Sequence, residues 1–435
     1  ATARCQMNLP PHYRRNFIAL FADYVGFALA MTFISTTTVL PALVGNLTDS
    51  TIAVGLVASV SHGAWLLPQL FFANLLTSKR RKKPYMLRGG VIGRPLYLIY
   101  AIAFSLGLYL YPSVAMLMLF LVQIVFFTTD SLVSVAWFDV LGKAIPEARR
   151  GRLFGGAQLV SGVLAIGAGG LIAAILGANG PPFPYNYSII LVLASVCLLL
   201  TMIALASIAE PDEPVEESRP AWRDYLPRLR NTLHDDRTFT RLILVRLLGG
   251  FDGLALGFYI LFATREMGLP LATVGLFTSA QTVGKIISSV GLGAVAERSG
   301  SHRVVQIATA ISMTAPLAGL ALYLFGAQST IATAIVFGWV FVTIGITVSS
   351  SMLGYYNYVL ELAPAGQRPT YIGLFNTLGG LLIVLPAVGG WILQGTSYGV
   401  LFALTAVPLI AAHVLSLSLP PARHTASQLQ PEPAT

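Results

Sequence analysis

Charge is scarce in this chain. Asp, Glu, Lys and Arg make up 10% of its 435 residues, against about 25% in a soluble globular domain. With 55% hydrophobic residues there is too little polar surface to face water on all sides. A soluble fold is excluded, and the surrounding solvent must be lipid. Cysteine is scarcer still. Cys5 and Cys197 are the only two, one near the N-terminus and one inside an apolar run, so neither a disulfide framework nor a metal site follows from them. The sequence also lacks a Walker A loop, a Ser/His/Asp or Cys/His grouping and a metal-ligand cluster. An ATP-driven pump or a membrane enzyme is therefore disfavoured, and no cofactor or metal is expected. Arg14 and Arg15 precede an apolar run too long for a signal h-region, with no small-residue cleavage site, so the first span is expected to persist in the mature protein.

Long apolar runs fill the rest. A helix needs roughly 20 mostly apolar residues to cross the hydrocarbon core. Twelve such stretches are present: 17–43, 51–76, 88–111, 113–138, 153–177 and 185–208, then 240–264, 271–296, 303–326, 329–358, 370–394 and 397–419. All are expected to be helices, because lipid offers a backbone no partner outside its own segment. The expected fold class is an all-α integral membrane protein with twelve transmembrane helices in two pseudo-symmetric six-helix bundles.

The net charge of +9 is informative through its placement. Ser78-Lys79-Arg80-Arg81-Lys82-Lys83-Pro84 would read as a nucleic-acid patch or import signal in a soluble protein. Here apolar spans flank it, and it joins a series. Basic residues also crowd the N-terminus (Arg4, Arg14, Arg15), the loop after the fourth span (Lys143, Arg149, Arg150, Arg152), the central segment, later even-numbered loops (Arg298, Arg303, Arg368) and the tail. The opposite loops carry Arg265 alone. By the positive-inside rule, both termini and the basic loops are cytoplasmic. The basic run then meets anionic lipid headgroups, and nucleic acid is not a partner.

Four regions follow: an N-terminal bundle over 1–208, a cytoplasmic linker over 209–239, a C-terminal bundle over 240–419 and a polar tail over 420–435. In the linker, Trp222, Leu226, Leu229 and Leu233 fall at helical spacing beside Arg223, Arg228 and Arg230. That spacing fits a short amphipathic helix on the membrane surface; a disordered linker fits equally, since Pro227 interrupts the pattern.

The bundles repeat one another. Ala53-Val54-Gly55-Leu56 resembles Thr273-Val274-Gly275-Leu276 at a separation of 220 residues, and Gly169-Gly170 matches Gly389-Gly390 at the same offset. Trp137-Phe138-Asp139 lies opposite Tyr355-Tyr356-Asn357. Parallel six-span repeats are a known transporter architecture. After the eighth span stands Gly293-x3-Glu297-Arg298-x-Gly300-x-x-Arg303. This is close to the loop signature Gly-x3-Asp-Arg-x-Gly-x-(Arg/Lys)-Arg of the major facilitator superfamily, which the chain resembles over nearly its whole length. In the first copy Thr77 stands where the Asp would be, and only Arg81-Lys82-Lys83 survives. A second family signature, Gly-Pro-x-x-Gly-Gly, keeps only Gly169-Gly170 in the fifth span.

Ionisable groups at membrane depth are costly and usually face a cavity or a partner. Asp23 lies about 9 Å, Asp130 about 12 Å and Asp252 about 18 Å from the inner ends of their spans at 1.5 Å per residue. The resemblance implies that spans 1, 4, 7 and 10 line a central cavity, and these aspartates fall on three of them. Lys285 is at a depth similar to Asp252 on the next span, and the two are expected to pair. Thr278, Gln281, Lys285 and Ser288 form one polar stripe, which serves either a binding surface or interhelical contact. His62 titrates near neutral pH in its ordinary state and joins Trp65 and Gln69 in a similar stripe. Tyr355 is among the aromatics available to an organic substrate. These residues are the substrate and proton-coupling candidates.

At the basic ends, the resemblance implies ion pairs that close a gate. Asp139 with Arg88 or Arg94 is the expected pair in the first half, and Glu361 with Arg298 or Arg303 in the second. Arg149, Glu297 and Arg368 complete the gate candidates. The function expected is secondary active transport of a small organic solute by alternating access, coupled to protons, by a monomer in the cell membrane. The alternatives are a facilitative uniporter and a transporter-like receptor or assembly factor that moves nothing.

Overall fold

The computed structural model describes residues 11–77, 79–211, 236–326, 329–364 and 368–421. Among these the secondary structure is helical, with no strand. The expected amphipathic helix around Trp222 and nearly all of the polar tail lie outside the described residues.

Ten helical stretches among the described residues are long and apolar enough to cross a membrane. Two of the expected spans fall short for visible reasons. The third is divided at Arg94-Pro95 into Lys83–Gly93 and Leu96–Ser105; proline removes a helix donor and its ring clashes with the preceding turn. The eighth is one helix, Thr273–Ser299, of 27 residues, but Gln281, Lys285, Glu297 and Arg298 lower its hydropathy.

Continuity is also lower than expected elsewhere. The first span stops at Phe33, and a separate helix, Val39–Leu47, follows. The seventh runs as Arg237–Gly249, then a 3-10 turn over Gly250–Leu254, then Phe258–Leu261 and a π turn over Phe262–Glu266. Gly249, Gly250, Gly253 and Gly257 each lower the helix propensity of this stretch. The tenth span, Thr330–Ser350, passes into a π turn over Ser351–Tyr356. Such irregular turns recur at functional sites. Here they hold Asp252 and Tyr355, two of the candidate residues.

The chain forms two compact units. One takes the described residues up to Ser35 and from Val60 to the central linker; the other takes Thr36–Ser59 and the residues after the linker. The segment Thr36–Ser59 therefore packs with the second unit, although it precedes it in sequence. Thr38 and Thr278 hydroxyls meet at 2.8 Å, and Thr37 Oγ1 donates to Gln281 Oε1 at 2.9 Å. Thr51 Oγ1 donates to the Gly390 carbonyl at 2.7 Å.

Lipid tails are as apolar as leucine, so close backbone approach, not apolar burial alone, holds helices together. Thr273–Ser299 and Thr330–Ser350 show this directly. A Cβ on Gly284 would lie 2.1 Å from the Val342 carbonyl oxygen, and one on Gly345 would lie 2.0 Å from that of Gln281. Each unit also has an apolar core beside its basic end. In the first, Leu20, Met86, Trp137, Val140, Leu153 and Leu205 meet; in the second, Phe239, Leu242, Val305, Tyr358 and Phe375 do.

Candidate functional site

In the first unit, the break at Pro95 leaves Arg94 as the cap of Lys83–Gly93. Its side chain enters the protein interior, where it is 3% exposed. Both terminal guanidinium nitrogens stand 3.3 Å from Asp23 Oδ1. Arg94 Nη1 also donates to Thr201 Oγ1 and to the Leu198 carbonyl. Asp130, on Pro112–Ala144, is half-buried and lies within the fields of both Arg94 and Asp23. Two carboxylates thus share one guanidinium, and the cluster carries one negative charge when all three groups are ionised.

In the second unit, the 3-10 turn carries Asp252 to the wall of a small cavity of about 20 Å³. Tyr259, Ser312, Thr343 and Thr347 also line it. Each of the three aliphatic hydroxyls donates its proton to a helix carbonyl: Ser312 to Thr309, Thr343 to Val340 and Thr347 to Thr343, at 3.0, 2.7 and 2.9 Å. Their remaining capacity is acceptor lone pairs. A protonated Asp252, or one water, finds acceptors there.

The expected Asp252–Lys285 pair does not form. The cation acting on Asp252 is Arg246, two turns earlier in the chain. Lys285 is exposed at the surface of its unit. Arg246 was missing from the expected set, although its position inside an apolar span, as a charged residue, was visible in the sequence. Its guanidinium lies over the rings of Tyr355 and Phe375, with Cζ 5.7 and 5.8 Å from the centroids. Of the polar stripe, Thr278 and Gln281 are engaged by Thr38 and Thr37, which is the interhelical reading of that pattern. His62 is exposed on the helix Thr51–Leu66.

The basic ends differ from expectation in their pairing. Asp139 pairs with Lys82, and with Lys143 at 2.7 Å; neither Arg88 nor Arg94 reaches it. Lys143 lies on the next turn of the same helix, and Lys82 on the adjacent basic loop, so both are nearer cations. Arg88 instead sits over the Tyr85 ring at 5.6 Å. Glu210, in the first residues of the linker, organises the loop. It accepts from the backbone N–H groups of Lys82 and Lys83, at 2.8 to 3.0 Å, and lies 3.6 Å from Lys143. A carboxylate at a helix N-terminus meets unsatisfied donors and the positive end of the helix dipole. Partial burial and the nearby Arg15 push the Lys83 ammonium below the ordinary lysine value, with Glu210 opposing.

Glu361 accepts from Ser301 Oγ at 2.6 Å and pairs with neither Arg298 nor Arg303. Arg303 donates to Gln306. Glu297 and Arg298 are exposed, and Arg149 is half-buried with no ion partner among the described residues. Arg368 begins the helix Arg368–Gly379; its side chain lies outside what is described.

Ionisable groups inside spans this apolar mark a multi-pass membrane protein. The profile of the Major Facilitator Superfamily matches residues 17–385 and 242–434, and the chain belongs to that superfamily. It is a transporter fold rather than an enzyme. Solved structures agree in fold at low identity. A bacterial homologue of the iron transporter ferroportin, in an inward-facing state, aligns with a TM-score of 0.67 and 14% identity, over 93% of this chain and 98% of that one. A D-xylose-proton symporter aligns at 0.66 and 14%, over 93% and 98%. The nucleoside transporter NupG aligns at 0.63 and 14%, over 97% and 100%. No curated protein matches the sequence significantly.

Proposed function

We propose that the protein is a twelve-span secondary active transporter of a small organic solute, working by alternating access and driven by protons. Its termini and basic loops face the cytoplasm, and it acts as a monomer in the cell membrane. The observation that carries this reading is the set of carboxylates inside the spans: Asp23 and Asp130 around Arg94 in one unit, and Asp252 beside its cavity in the other. Intramembrane carboxylates are the usual proton relays of transporters. Asp130 and Asp252 are the proton carriers in this account, because neither has an ion pair among the described residues, whereas Asp23 is held by Arg94. Loading or unloading a proton changes the charge of its unit and so biases the conformational equilibrium. Superfamily membership supports the transport class, and the Glu210–Lys143–Asp139–Lys82 cluster supports a gate at the basic end of the first unit.

The test is flux into proteoliposomes under an imposed pH gradient, across a panel of small solutes. Uptake that needs the gradient supports the reading. Uptake indifferent to the gradient indicates a uniporter, and saturable binding without flux of any solute indicates a receptor.

A further inference from the structure

Arg94 and Arg246 each lie six residues inside a span, and they are held in opposite ways. Arg94 is engaged through both terminal nitrogens: Asp23 at 3.3 Å, the Thr201 hydroxyl and the Leu198 carbonyl take their donors. This is how the fold treats a structural guanidinium. Arg246 has none of this. Tyr355 and Phe375, with ring centroids 6.2 Å apart, both lie to one side of it, and its buried Nε has no hydrogen-bond partner. Among the described residues it makes no hydrogen bond or ion pair at all. A guanidinium presents five N–H donors in one plane, and aromatic faces cannot satisfy that edge.

The neighbouring side chains leave these donors unpaired. Tyr355 is placed by the π turn Ser351–Tyr356, with its phenol oxygen packed where a Cβ on Gly249 would come within 3.3 Å. Asp252 acts on Arg246 through its field, yet comes within neither hydrogen-bond nor ion-pair distance. It offsets the buried charge without occupying the donors. Beside Phe375, Asn376 accepts from the Tyr356 hydroxyl at 2.6 Å through Oδ1, which leaves its amide nitrogen as a further donor.

We propose that Arg246 is the anchor for an oxyanion, a carboxylate or a phosphate, carried by the solute. Tyr355 and Phe375 support the guanidinium from one side, and its unpaired donors meet the anion in bidentate fashion. The solute is accordingly an organic acid or a phosphate ester rather than a neutral sugar or a cation. This proposal rests on the transport reading above and specifies its substrate class.

The test uses purified full-length protein and three probes: benzoate, inorganic phosphate and neutral benzamide, at matched ionic strength. Binding is read as a saturable rise in the thermal unfolding midpoint. At least one anion should bind the wild type while benzamide does not, and which one binds separates carboxylate from phosphate. Arg246→Gln should weaken that binding about tenfold or more, the scale for losing one partner of a desolvated charged contact. Arg246→Lys keeps the charge and loses the fork, so it should bind phosphate better than benzoate. The unfolding midpoints without probe show that each variant is folded. Failure of both anions to bind the wild type overturns the proposal, as does equal binding by Arg246→Gln. Binding is read without transport, so a protein that binds anions through Arg246 but shows no gradient-driven flux overturns the coupling reading instead.

Discussion

Arg94 and Asp23 meet through both terminal guanidinium nitrogens, each 3.3 Å from one carboxylate oxygen, and both residues are at least nine-tenths buried. Removing one partner of a buried pair leaves an uncompensated charge and costs about 3–5 kcal/mol. Arg94→Gln leaves Asp23 and Asp130 both without their cation and should therefore lower the unfolding midpoint strongly, whereas Asp23→Asn leaves Asp130 facing Arg94 and should lower it less. The double variant should recover part of the Arg94→Gln loss, since only Asp130 then remains uncompensated. A thermal double-mutant cycle checks this, and additive losses would show that the two do not interact.

Asp130 and Asp252 have a different role in this account, and their substitution should separate coupling from folding. Asp130→Asn and Asp252→Asn should each abolish uptake driven by a pH gradient. Solute exchange at equal pH on both sides should continue, because it needs no net proton movement. Loss of both activities in a variant that still unfolds at the wild-type temperature would assign the aspartate to solute binding instead.

The crossing of Thr273–Ser299 over Thr330–Ser350 leaves no room for a methyl group. Gly284→Ala or Gly345→Ala places a Cβ about 2 Å from a carbonyl oxygen of the opposite helix, and backbone cannot swing aside as a flexible side chain can. Overpacking of this kind costs about 1–3 kcal/mol or more. Gly338→Ala, which meets nothing within 4 Å, is the control on the same helix and should be neutral. Unfolding midpoints of the three variants settle the comparison.

Glu210 holds the basic loop through the N–H groups of Lys82 and Lys83 and lies close to Lys143. Glu210→Ala should cost about 1 kcal/mol for the lost cap. In the gating account it also changes turnover. Asp139→Asn, which leaves the cap intact, should alter turnover with little change in stability, because partly exposed ion pairs contribute about 0–1 kcal/mol. Unaltered flux in Asp139→Asn would remove the gate from the account.

Much of the fold could be read from composition, because lipid leaves a chain few choices. The spans, their spacing and the repeat are properties of local sequence. Where helices break was legible only at proline: Pro95 announces its break, whereas the 3-10 turn at Asp252 comes from several glycines whose joint effect depends on packing. That Thr36–Ser59 packs with the second unit has no local signature. The partners of Asp139 show the same limit in small. Lys143, four residues on, is a standard helical pair and was available to inspection; Glu210 was hidden in a stretch that reads as linker. Arg246 was legible as an intramembrane charge, but its lack of hydrogen-bond partners becomes visible only once Tyr355 and Phe375 are brought over it.

The most direct test of coupling follows protons rather than solute. Proteoliposomes loaded with a pH-sensitive dye, and starting without a gradient, are given each solute of the panel in turn. The account predicts that a transported solute acidifies the lumen in wild-type vesicles and that Asp252→Asn vesicles stay at constant pH. A solute that accumulates in wild-type vesicles without moving the lumen pH would contradict it.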